Sequence, residues 1–185
     1  MENQQTVARA LHDVGLATWF GGSLMGAIGL NGAAAQEKDP KERARIAGIG
    51  WDRWVPVNGA AIAAHLVGSV LLLGGNKGRI AGQKGVAPAA LAKTALTLGA
   101  MGATAAARWA GKEITRLGDE PVEGVTEPGA STPPELAEAQ KKERILQWAV
   151  PASTAALVLM SAKMGEQQRA GSVLQGVTRR FASLR

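Results

Sequence analysis

The 185-residue sequence contains no cysteine and only two histidines, His12 and His65. Without cysteine the chain cannot form disulfides, iron–sulfur clusters, thiolate zinc sites or a cysteine nucleophile. Protein zinc and copper sites gather several nitrogen, sulfur or oxygen ligands, so two histidines predict no metal site. The sequence also has no P-loop, no Ser–His–Asp arrangement in a suitable context and no paired intramembrane carboxylates. We therefore expect a protein without enzymatic activity.

Charge is missing from two long stretches of the chain. Val14 to Gln36 and Trp54 to Asn76 each run 23 residues without Asp, Glu, Lys or Arg. About 20 such residues in a helix match the roughly 30 Å hydrocarbon core of a bilayer. The preceding start, MENQQTVARALHD, lacks the basic n-region of a signal peptide, so we expect the first stretch to remain in the mature protein. Both stretches predict membrane-spanning helices.

Two further segments are candidate spans. Gly85 to Ala107 is apolar except for Lys93, and Ile145 to Ala162 is uncharged but contains Pro151. We predict an all-α integral membrane four-helix bundle with short interfacial amphipathic helices, in one membrane domain covering 1–185. An alternative keeps only the first two as spans and makes the others buried or interfacial helices. The predicted spans cover about 14–36, 54–76, 88–108 and 145–162.

The first two connections differ in character. In residues 37–56 the charged start is followed by Trp51 and Trp54, which predicts a short headgroup helix from Pro40 that ends where Pro56 opens the second span. The second connection, GGNKGRIAGQKGVAP, has three basic residues and no acid. It predicts a flexible turn that faces lipid phosphates.

The third connection and the tail carry opposite charge. Residues 117–134 are acidic and rich in proline and glycine, which predicts an extended, solvated loop. The tail, 165–185, places apolar residues at helical spacing among basic ones, which predicts a basic amphipathic helix on an anionic leaflet. Its lipid-facing basic residues are Arg169, Arg179, Arg180 and Arg185.

The positively charged segments also bear on orientation and partners. The acid-free second connection and the arginine-rich tail fall on the same side in a four-span arrangement, and both favour anionic lipid. We therefore expect a plasma-membrane protein with both termini in the cytoplasm. The expected partners are anionic lipids and either another membrane protein or a second copy of the chain, and no nucleic acid.

Small residues predict how the helices associate. Lipid removes the hydrophobic drive between spans, so close packing through small residues must replace it. Gly22 and Gly26 form a GxxxG step in the first span, and Gly99 and Gly102 lie in the third. We interpret these glycines as packing positions inside the bundle, with a homodimer interface as the alternative.

Polar residues within the spans are the candidate functional groups. Asn58, His65 and Ser69 share one face of the second span, because steps of seven and four residues nearly complete whole turns. Thr97 and Thr104 form a similar stripe on the third span. His65 lies at the middle of its uncharged stretch, where an ionisable residue is a functional hypothesis. A neutral imidazole that is hydrogen-bonded to a neighbouring helix is the simpler interpretation.

Depth along the membrane bears on haem binding. Counted from the centre of the first uncharged stretch, His12 lies roughly 18 Å from His65 along the membrane normal, too far for both to bind one iron. Met25 lies at the depth of His65, so haem could be held only by His65 and Met25, and we expect no cofactor. Asp13 and Lys93 both lie near the entrances of their spans, which predicts an ion pair between them, with a proton or ion entry site as the alternative.

Short segments resemble known membrane proteins. Trp19-Phe20-Gly21-Gly22, after His12 and Asp13, resembles the Trp-x-Gly-Gly first helix of small four-span bacterial proteins of the copper-resistance D and DoxX types. The segment GWDRWVPVNGAAIAAHLVG is similar to membrane proteins of unassigned function from actinobacteria. The resemblance implies a four-helix bundle. The histidine ligand sets of the copper group do not occur here, so the resemblance does not imply copper handling.

These observations favour a non-enzymatic accessory or scaffold component of a larger membrane complex. One alternative is a small redox or transport subunit that uses the polar interior around His65. Another is a membrane-shaping protein that acts through its amphipathic segments.

Overall fold

The computed structural model describes residues 2–83, 85–118 and 120–166, which are helical apart from short connections and contain no strand. Three helices are long and apolar enough to cross a membrane, namely α3, α5 and α6. The basic tail lies almost wholly outside the described residues, as do Arg169, Arg179, Arg180 and Arg185. The helices are α1 Glu2–Met25, α2 Asn31–Ala34, α3 Glu42–Gly75, α4 Lys77–Gly82, α5 Val86–Arg116 and α6 Pro134–Glu166, with a π-helical turn, Gly26–Leu30, between α1 and α2.

Helix α3 joins two elements that the sequence separates. The predicted headgroup helix and the second span form one continuous helix that passes through Pro56, which has no N–H to donate to the preceding turn. Trp51 and Trp54, which are predicted to anchor a headgroup helix, pack against the preceding helices of the chain. Their indole rings occupy the space that side chains at Gly26 and Gly22 would fill. Bulky rings thus fit against α1 because it has glycine at the facing positions.

The long helices alternate in direction and pack as an incomplete ring. Helix α1 packs against α3 on one side and α6 on the other, and α5 packs against α6. Helices α3 and α5 touch only sparsely, which leaves an open seam between them. Burial of apolar surface stabilises the centre of the bundle, where the core consists of Leu16, Trp19, Ala100, Val150 and Leu157.

The register of α1 against α3 differs from the prediction that residues 14–36 and 54–76 lie at the same depth. Gly15 lies against His65, and Gly68 lies against His12. Ala34, in α2, packs near Ala47, in the charged first part of α3. The apolar part of α3 therefore lies beside residues 5–22 of α1. The prediction assumes that the centres of the two uncharged stretches lie level. It therefore displaces α1 along its axis, relative to α3, by several helical turns.

The connections are more ordered than their composition suggests. The second contains the short helix α4, where a flexible turn is predicted. The third is irregular, but Val122, Val125 and Thr126 are buried, so its predicted solvation is wrong. Val122 packs with residues of α3, α5 and α6, and Gln140 donates hydrogen bonds to two carbonyl oxygens of this connection. The acidic connection thus covers one end of the bundle.

Candidate functional site

The candidate site lies where α1 and α3 approach most closely. A Cβ atom at Gly15 would lie 2.5 Å from the Ala61 carbonyl oxygen and 2.6 Å from the His65 backbone nitrogen. A Cβ at Gly68 would lie 2.6 Å from the Ala8 carbonyl oxygen and would also collide with the His12 backbone. These distances are too short for any side chain, so the two glycines allow backbone-to-backbone packing. That packing brings the two histidines together.

His12 links an acid and a base from two helices. Its Nδ1 lies 2.6 Å from Asp13 Oδ1, and its Nε2 lies 2.6 Å from Lys93 Nζ. An ammonium group can only donate, so Nε2 accepts from Lys93 and Nδ1 donates its proton to the carboxylate. A neutral imidazole with its proton on Nδ1 therefore satisfies both contacts. The imidazole is buried, whereas the Asp13 side chain is 55% exposed.

His65 lies directly behind His12 in the interior. The two ring centroids are 4.5 Å apart, and the Trp19 ring lies edge-on to His65 with its centroid 6.2 Å away. His65 Nδ1 lies 3.3 Å from the His12 carbonyl oxygen, which assigns the proton to Nδ1. His65 Nε2 is buried and has no hydrogen-bond partner among the described residues. One ring nitrogen of this site therefore remains available.

The contact between His12 and His65 contradicts their predicted separation along the membrane normal. The separation of roughly 18 Å along the membrane normal is wrong, because the centre of the first uncharged stretch is not level with the centre of the second. The predicted pairing of Asp13 with Lys93 is modified in a related way. The structure joins the two side chains through His12, which occupies the space between them.

Met25 and His65 are not brought together. Gly26, the neighbour of Met25, contacts Trp51, and Trp51 precedes His65 by fourteen residues on α3. At 1.5 Å per residue this places Met25 about 20 Å from His65, too far for both to bind one iron. The Met25 side chain is also 58% exposed. In the described part of the chain, no group of three or more His, Asp or Glu residues could hold a metal ion.

The hydrogen-bonded series Asp13–His12–Lys93 is called the His12 chain below. A cavity of about 220 Å³ opens beside it, in the half of the seam near the start of α5. Ser69 and Thr97 line it together with Arg9, Asp13 and Lys93. Thr97 is buried and donates to the Lys93 carbonyl oxygen at 2.9 Å. Positive charge dominates this end of the bundle. Burial and the proximity of Arg9 lower the pKa of Arg79, which lies nearby on α4.

The other half of the seam holds a larger cavity of about 350 Å³. Asn58 and Thr104 line this cavity, so the predicted polar stripe on each helix is divided between two sites. Trp19 lies between the cavities and donates from Nε1 to Thr104 Oγ1 at 3.1 Å. Thr104 in turn donates to the Ala100 carbonyl oxygen at 2.8 Å. The central indole thus separates two polar regions.

The predicted packing glycines have different environments. Gly22 and Gly26 accept tryptophan rings, so they are packing positions, although the neighbour is a side chain rather than a backbone. Within the described residues, no atom lies within 4 Å of a Cβ built at Gly99 or Gly102. The expectation that these two pack inside the bundle is therefore wrong for this chain alone.

Sequence reasoning missed two side chains. Glu143 is only 7% exposed and lines the larger cavity, although it belongs to a segment that reads as the charged start of a helix. Trp19 enters the sequence analysis only through its motif, although it is wholly buried at the centre. Residue type alone does not predict the burial of Glu143. For Trp19 the available signal was its position seven residues after His12, on the same helix face.

No family model matches the sequence, and no curated protein or solved structure matches it either.

Proposed function

We propose that the chain is a four-span bundle of a bacterial plasma membrane that acts as a non-enzymatic accessory or scaffold component of a larger membrane assembly. In this proposal α1 is the fourth span, and both termini are cytoplasmic. The contacts between α1 and the apolar parts of α3 and α6 support the fourth span. The expected partner is another membrane protein or a second copy of the chain, surrounded by anionic lipid.

An uncovered face of α5 carries this proposal. Leu91, Ala95, Leu98 and Gly102 follow one another at helical spacing and are exposed. Lipid chains can cover leucines, but the open space over Gly102 between larger neighbours also suits close approach of another helix. A helix partner would gain van der Waals contact there that disordered lipid chains provide less well.

The test is co-purification in mild detergent, with Gly102→Leu as the disrupting variant. Filling the gap should reduce the recovered partner or oligomer about tenfold, because it prevents close helix contact. Gly21→Leu is the matched control, since Gly21 is also exposed on a helix and has no atom within 4 Å of a built Cβ in the described chain. A protein that stays monomeric without a stoichiometric partner would contradict the proposal, as would equal loss with both variants.

The His12 chain favours a second candidate function, a small transport subunit that moves protons. Asp13 is half exposed at the cavity, and His12 connects it to the interior, where His65 lies. Ionisable residues within membrane helices mark proton relays in many transporters. A redox version with haem on His65 and Met25 does not apply, because those residues are too far apart to bind one iron.

Proton movement can be measured in liposomes that hold the purified protein and a pH-sensitive dye. An imposed potential should drive acidification that His12→Gln reduces at least tenfold, because the amide cannot take up and release a proton. Thr94→Ala is the control, since Thr94 lines the same cavity and donates only to a carbonyl oxygen of its own helix. A flux no greater than that of empty liposomes would remove this candidate.

A further inference from the structure

The larger cavity has an unusual combination of an apolar wall and unpaired polar atoms. Five buried side-chain polar atoms lack a hydrogen-bond partner within the described residues. Three of them belong to residues that line this cavity: Trp54 Nε1, Asn58 Oδ1 and Glu143 Oε2. A buried polar atom without a partner is destabilising. Because three such atoms belong to residues around one space, this cavity is a candidate site for a ligand that would bond them after small side-chain rotations.

Most of the surface of the cavity wall is apolar, although Thr104 and Gln147 also line it. Ile62 of α3, Met101 of α5 and Val150 of α6 line it. Its volume of about 350 Å³ lies in the range of small-molecule sites, about 300–1,000 Å³. Ordered water needs several polar partners, which most of this wall does not offer. A ligand with a hydrocarbon part fits the wall better than a cluster of water molecules.

The position of the cavity mouth indicates where the ligand comes from. The cavity lies along the seam between α3 and α5, and exposed apolar residues, Val55, Gly59 and Ala105, form part of its lining. Both helices are long and apolar enough to span a membrane. The mouth therefore opens toward lipid, at the level where the charged first part of α3 gives way to its apolar part.

The polar atoms also restrict the ligand's head group. Arg108, the cation on the wall, already pairs with Asp52. Glu143 is buried without a cation beside it, and an unpaired carboxylate is costly in such surroundings, so the protonated acid is the favoured form. The Trp54 N–H needs an acceptor, and Asn58 Oδ1 needs a donor. A neutral head that both donates and accepts meets these requirements.

We propose that this cavity binds a neutral bilayer amphiphile whose head carries hydroxyl groups, with a prenylated hydroquinone as the probe of that chemistry. The head lies between α3 and α6, where its hydroxyl groups bond Asn58, Trp54 and Glu143. The hydrocarbon chain follows the seam into the lipid. This site is separate from the α5 face and from the His12 chain, so it stands whether or not those proposals hold.

Binding can be measured with the full chain in nanodiscs, by equilibrium dialysis of a short-chain prenylated hydroquinone under argon. Saturable binding is expected. Gly59→Leu should weaken it at least tenfold, because the new side chain enters the cavity where a built Cβ meets no atom of the described chain within 4 Å. Gly74→Leu is the matched control on the same helix, equally open and outside the cavity lining. Absence of saturable binding, or equal weakening by both variants, would overturn the proposal.

The head-group contacts have their own variants. Asn58→Leu and Glu143→Leu should each weaken binding about three- to tenfold, the range for loss of one hydrogen bond. Glu143→Leu should also raise the thermal midpoint of the ligand-free protein, because it removes a buried unpaired polar group. Equal binding of a prenylbenzene without hydroxyl groups, or tighter binding of a cationic amphiphile, would overturn the assigned head-group chemistry.

Discussion

Two glycines determine how closely the histidines meet. Gly15 and Gly68 lie on different helices, and each leaves room for the backbone beside a histidine of the other helix. Spacing within one helix predicts packing at Gly22 and Gly26. No spacing indicates which glycines of separate helices will face each other. The polar residues of the interior could thus be named from sequence, whereas the cluster they form required the register between α1 and α3.

Replacing Gly68 tests this close approach. Gly68→Ala should destabilise the protein by about 1–3 kcal/mol, because the added Cβ collides with the α1 backbone, which cannot move aside like a flexible side chain. The free energy of unfolding in detergent, measured by denaturant titration, reports the change.

Gly74→Ala is the comparison for that measurement. In the described structure no atom lies within 4 Å of a Cβ built at Gly74, on the same helix. Alanine should leave stability unchanged or raise it by up to about 1 kcal/mol, because it is the better helix former. Equal destabilisation by the two substitutions would show that α1 and α3 are not packed backbone to backbone at Gly68.

At the scale of elements, the acidic connection behaves differently from its composition. Proline and glycine are typical of irregular segments, and the described residues 117–118 and 120–133 of this connection lack a regular helix. Proline and glycine do not predict that Val122 and Val125 fill spaces between helix ends. Burial depends on those apolar side chains and on distant donors, and a local composition window contains neither. Arg43, on α3, provides several of the hydrogen bonds.

Arg43 tests how this connection is held. Its guanidinium donates to the carbonyl oxygens of Glu37, Val122 and Glu123 at 2.8, 3.1 and 2.8 Å. Arg43→Ala should increase cleavage of the connection by a glutamate-specific protease about tenfold, because loss of charge-assisted hydrogen bonds favours local opening. The cleavage rate of the purified protein is the measurement.

Arg45 is the matched control two residues away. It is exposed and pairs with Glu42 one turn earlier on the same helix, and such surface pairs contribute little to stability. Arg45→Ala should leave the cleavage rate unchanged. If both arginine variants are cleaved alike, Arg43 does not hold the connection in place.

At the scale of the whole molecule, the all-helical class follows from uncharged stretches and helical spacing. The structure confirms it for the described residues, of which three helices have spanning length. The open seam between α3 and α5 does not follow from the stretches or the spacing. Each of these helices buries part of its surface against another neighbour, so an apolar stripe alone does not say which pair stays apart. Both cavities lie along that seam, and their polar linings come from helices that are distant in sequence.

The lengths of α3, α5 and α6 have a further consequence. Their 34, 31 and 33 residues correspond to about 45–50 Å, well beyond a hydrocarbon core of roughly 30 Å. The charged excess of all three lies at the end covered by the acidic connection. We therefore expect the bundle to project from one membrane surface as a head of helix ends, while its opposite end stays close to the lipid. Whichever compartment contains that head would have access to this surface of the protein.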